Sequence, residues 1–81
     1  MAYTRAHLRF TSTKEIYDFV AKLNSDGTTD SYVFESFDGT YRVNARSVLG
    51  VIYMTGDHDD DMYLVNRTTG IIPSFVDAYR A

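Results

Sequence analysis

The sequence predicts an α+β domain of order βαββαβα, in which a four-stranded antiparallel sheet is covered on one face by helices. Three observations carry this expectation. Apolar residues alternate with polar ones in the first stretch, recur at helical spacing in the next, and are followed by two β-forming runs that flank Asp38-Gly39. With 81 residues, 44% hydrophobic and 23% charged, the chain suits a single domain over 1–81. It has no cysteine and two histidines, so stability must come from packing, for which seven Tyr and five Phe provide the bulk.

The elements follow in order. "TRAHLRFT" sets Ala6, Leu8 and Phe10 against Arg5, His7 and Arg9, the period of a half-buried strand. In "STKEIYDFVAKLN" the residues Ile16, Phe19, Val20 and Leu23 form one face of an amphipathic helix, opened by the capping box Ser12-Thr13-Lys14-Glu15. "TTDSYVFESF" and "TYRVN" become a hairpin around Asp38-Gly39. The apolar run after Ser47 is a short second helix, "DDMYLVNRT" a fourth strand, and "GIIPSFVDAYRA" a terminal helix with Pro73 near its first turn. RNA-recognition and ferredoxin-like domains share this order, so order alone does not choose a topology.

Composition limits the function classes. "MAYTRAHLRF" has no apolar signal core and no window reaches the roughly 20 apolar residues of a membrane span, so a cytoplasmic protein with no membrane partner is expected. The net charge of −3 argues against a nucleic-acid partner. Asn66-Arg67-Thr68 matches a glycosylation acceptor, which means little without a secretory signal.

Each candidate constellation has a plain structural reading beside it. Ser12 reads as a helix cap, since neither His7 nor His58 is evidently placed to activate it. "GDHDDDM" imitates the start of a calcium loop at Asp57, Asp59 and Asp61. However, Met62 stands where the turn glycine belongs and Thr68 where the bidentate glutamate belongs, so an acidic turn with no metal or cofactor is expected. The outer sheet face would carry Arg5, His7, Arg9, Arg42 and Tyr63, a set that suits single-stranded nucleic acid, yet no RNP-type string occurs. No nucleophile, base and oxyanion site can be assembled, so no enzymatic activity is expected. Val48, Leu49, Val51, Ile52, Tyr53 and Met54 make a helix that is apolar on more than one side. It is either buried unusually deeply or partly exposed as a docking surface.

"VNARSVLGV", Val43 to Val51, closely resembles the regulatory segment of the phosphocarrier HPr family of the sugar phosphotransferase system, in its Gram-positive form. A basic residue, a serine, two bulky aliphatics, a glycine and an aliphatic follow one another there too. The likeness extends more weakly over the rest of the chain and implies the HPr-like open-faced β-sandwich, with the fourth strand between the first and second. It also implies that Ser47 is the phosphoacceptor of an HPr kinase. Arg46, Val48, Leu49 and Ile52 become the partner-binding positions for a kinase or transcriptional regulator.

One departure bears on activity. The family's phosphocarrier histidine lies in a "G-[LI]-H-[AT]-R-P" string, and here the corresponding stretch is "FTSTKE", with Ser12 in the histidine's place. A serine ester does not replace a labile phosphoramidate. The resemblance therefore implies a regulatory, protein-binding member without phosphocarrier activity. A nucleic-acid-binding module using the outer sheet face is the alternative.

Overall fold

The computed structural model describes residues 4–25 and 27–81. Alternation in the strands and helical spacing in α1 and α2 sort the side chains between one core and the solvent. The elements are β1 (Arg5–Leu8), α1 (Thr13–Asn24), β2 (Tyr32–Glu35), β3 (Arg42–Asn44), α2 (Val48–His58), β4 (Met62–Asn66) and a 3-10 helix, Ser74–Tyr79. All strand pairs are antiparallel and the sheet order is β1-β4-β2-β3. The fourth strand thus lies between the first and second, and β1 and β3 are the edges, not the centre as in an RNA-recognition fold.

One face of the sheet, with Ala6, Leu8, Tyr32, Phe34, Met62 and Leu64, packs against Ile16, Phe19, Val20 and Leu23 of α1 and Val51 and Met54 of α2. The ring of Phe19 lies 5.2 Å from Phe10, 5.5 Å from Phe34, 5.6 Å from Phe75 and 5.3 Å from Tyr79. Edge-on and tilted packing of this kind adds to simple burial, and it lets a small chain stand without cross-links. Phe10 continues the alternation of β1 beyond the strand's last residue and is buried.

Three elements differ from expectation. The terminal helix is confined to the 3-10 turn Ser74–Tyr79, and Pro73 precedes it in an extended conformation. The reason lies at the sheet edge: the Arg9 N–H donates to Tyr79 O at 3.0 Å and the Ala81 N–H to His7 O at 2.9 Å, so the last residues run along β1 and cover it. The hairpin loop is wider than a two-residue turn. The Ser36 N–H donates to Tyr41 O, and Gly39, at φ 76°, closes a turn onto Ser36 O. Finally, α2 continues through Gly56 to His58, so the acidic stretch begins within the helix.

Candidate functional site

The start of α2 is built by three consecutive local bonds. The Asn44 side-chain oxygen accepts from the Arg46 N–H at 2.9 Å, and the Asn44 carbonyl accepts from the Ser47 N–H at 3.1 Å. Ser47, in an extended conformation, then accepts from the Gly50 N–H through Oγ at 3.2 Å. Ser47 is therefore the N-cap and Asn44 forms the turn before it. Gly50 suits this corner, since a Cβ there would lie 3.3 Å from the Asn44 carbonyl oxygen and 3.5 Å from Ser47.

The Arg46 side chain is engaged within the fold. Its guanidinium donates to Leu23 O at 2.8 Å, Asp30 O at 3.1 Å and Thr28 O at 3.3 Å, and it lies over the Tyr32 ring. It ties the end of α1 and the segment after it to the start of α2, and the Leu23 carbonyl is one that the helix C-terminus leaves without a partner. Of the other expected partner-binding residues, Leu49 is 67% exposed, while Val48 and Ile52 are half-buried and pack on the core. Tyr53, one turn beyond Leu49, is 70% exposed and joins it on the outer side of α2. The spacing of four sets the two residues on one side of the helix. The helix is apolar on two sides because one side meets the core through Val51 and Met54 and the other meets solvent.

Ser12 caps α1, with Oγ accepting from the Glu15 N–H at 3.3 Å. The return bond of the capping box reaches one residue further than expected. Glu15 accepts from the Thr11 N–H at 2.7 Å and from its hydroxyl at 2.9 Å, and these bonds hold the carboxyl below its ordinary range. His7 bonds Asp60 O and stacks on Tyr63, and His58 lies beside Asp61 and the Tyr41 ring.

The acidic stretch is tied into the fold. Arg9 meets Asp59 and Asp60, each at 3.3 Å, and Asp61 accepts from the Phe37 N–H at 2.8 Å. Among the described residues no three acidic or histidine side chains are grouped to hold a metal ion. The outer sheet face is similarly internally paired. His7, Tyr63, Glu35 and Arg42 form one row across the four strands. Glu35 takes Arg5 at 3.2 Å and Arg42 at 3.5 Å, and Arg5 also lies over Tyr63 and Phe37.

Asn66 is fully buried, and its side-chain oxygen accepts from the Thr68 and Thr69 N–H groups. Its amide faces Asp30, Thr69 and the Ile71 carbonyl, so it is a structural hub and no glycan acceptor. Among the described residues the surface has no pocket, and no helix is long and apolar enough to cross a membrane. Comparison with family models, with curated proteins and with solved structures returned no match for this chain.

Proposed function

We propose that this chain is a divergent, non-catalytic HPr-like domain of the bacterial cytoplasm. It binds a protein partner through the first half of α2, with Ser47 as the regulatory phosphoacceptor. The observation that carries the reading is the exposed apolar pair Leu49 and Tyr53, one turn apart and directly after the Ser47 cap. An exposed apolar patch on a small domain commonly marks a docking site. The strand order β1-β4-β2-β3 supports the same reading, being the one the family resemblance implies.

The chemistry at Ser47 is compatible with a switch. A phosphate on Oγ would lie at the positive end of the helix, beside first-turn N–H groups without partners within the helix. About two negative charges beside Leu49 would then disfavour an apolar partner and favour an arginine-bearing one. No phosphoryl relay is assigned, since Ser12 stands in the histidine's place and is occupied as a cap. The nucleic-acid alternative is disfavoured by Glu35, which neutralises cations that the outer face would need.

Incubation with an HPr kinase and ATP tests the switch: wild type is expected to be labelled and Ser47→Ala is not. Equal labelling of the two, or none of either, removes Ser47 from the reading.

A further inference from the structure

We infer that the partner of α2 is a basic amphipathic helix, docked with its apolar residues on Leu49 and Tyr53 and a cationic side chain on Asp57. The inference rests on α2 being the docking face and adds the chemistry of what covers it. Leu49, Tyr53 and Asp57 follow one another at intervals of four along a single exposed side of the helix. At 1.5 Å per residue they span about 12 Å, the reach of two turns of a facing helix. Ile52 and Gly56 flank this line, and Asp60 continues it beyond the helix with its side chain 78% exposed. The surface is therefore apolar at one end and acidic at the other.

Asp57 is the distinctive member. Asp59, Asp60 and Asp61 each have a partner within the fold, but among the described residues nothing pairs with the Asp57 carboxylate. It stands in the last turn of α2, where its charge adds to the negative end of the helix dipole, and an incoming cation would relieve both. Charge complementarity thus selects a partner with Lys or Arg about two turns from its apolar anchors.

A second copy of the chain fits less well. A two-fold axis across α2 would run the helices antiparallel and set Leu49 against Asp57, and an axis along it would set Asp57 against Asp57. An anionic membrane surface is opposed by the same carboxylates and by the net charge of −3.

The test is a titration of the isotope-labelled full chain with three synthetic helical peptides, followed by amide NMR shifts. The peptides share leucines at i and i+4 and carry arginine, glutamine or glutamate at i+8. The arginine peptide is expected to shift the amides of residues 49–57 and to bind about fivefold more tightly than the glutamine peptide, the gain open to one exposed ion pair. Asp57→Asn is expected to erase that preference, and Leu49→Ala to weaken all three. Equal binding of the three peptides on α2 overturns the charge inference and leaves the docking reading standing. Shifts confined to the acidic turn, or dilution-dependent shifts of α2 without peptide, overturn it in favour of adventitious charge or of self-association. No shift on α2 with any peptide overturns the docking reading as well.

Discussion

The Arg46 guanidinium donates to the carbonyl of Leu23 at 2.8 Å, joining the first residues of the α2 corner to the last turn of α1. Through the same side chain the Thr28 and Asp30 carbonyls are held, so one arginine closes the gap between the two helices and the strand that follows α1. Hydrogen bonds from a charged donor are among the stronger ones, so Arg46→Ala is expected to destabilise the fold by about 2–3 kcal/mol. Lysine should restore less than half of this, because one ammonium cannot reproduce the fork. Urea unfolding measures both. An unchanged midpoint together with lost partner binding would instead make Arg46 a contact residue.

Asn66 offers a second test. Removing its side chain strands the Thr68 and Thr69 N–H groups and the Asp30 carboxylate, so Asn66→Ala is expected to cost about 3 kcal/mol. Asn66→Asp sets a second carboxyl against Asp30 in a buried place, which raises the proton affinity of the pair. A raised carboxyl pKa means stability gained as pH falls, so this variant should recover toward wild type on acidification. Equal destabilisation at every pH would contradict the placement of Asp30.

Asp38 links the hairpin to pH. The Thr40 N–H, then the Ser36 and Thr40 hydroxyls, donate to its carboxylate and lower its pKa from 3.8 to about 2. A carboxyl depressed by folding contributes in full above its unfolded value, and the contribution is lost as pH falls through the folded one. Asp38→Ala should therefore be less stable than wild type at about pH 6, and the difference should fade toward about pH 2. Carboxyl NMR titration of wild type is the direct check, and a midpoint near 3.8 would remove the effect.

Capping and regulation at Ser47 can be separated. Loss of the Oγ acceptor for the Gly50 N–H predicts that Ser47→Ala costs about 1 kcal/mol by thermal or urea unfolding. Aspartate caps as well as serine and places a negative charge in the same position, so Ser47→Asp should keep wild-type stability. If binding at Leu49 and Tyr53 is sensitive to that charge, the affinity for an uncharged apolar peptide should fall in the aspartate variant while the fold stays intact. A fall in stability with Ser47→Asp would show that the corner does not tolerate an anion.

Much of the fold was legible because the signals were local. Ile16, Phe19, Val20 and Leu23 are all buried on one side of α1, and Ala6, Leu8 and Phe10 are all buried along the first strand and its continuation. The Ser12 cap follows from residue type and position, whereas at α2 residue type allows Asn44 as well as Ser47, and the bond from the Gly50 N–H makes Ser47 the cap. The site was legible in part: of Val48, Leu49 and Ile52, all expected at the docking surface, only Leu49 is exposed, and the internal bonds of Arg46 were not legible because their acceptors lie 16 to 23 residues away. The sequence places Asn66 in the fourth strand, where it lies, but its role as a buried hub was not legible because nothing near it in sequence announces Asp30.

Periodicity and capping chemistry determined the order of strands and helices and the residues each would bury, since both act within a few neighbours along the chain. The tertiary structure decided that β4 inserts between β1 and β2, that the last residues leave the helical path to cover β1, and that α2 turns Leu49, Tyr53 and Asp57 to solvent. Those choices depend on which distant backbone groups and apolar faces meet once loops have closed, and no local pattern of residues encodes them.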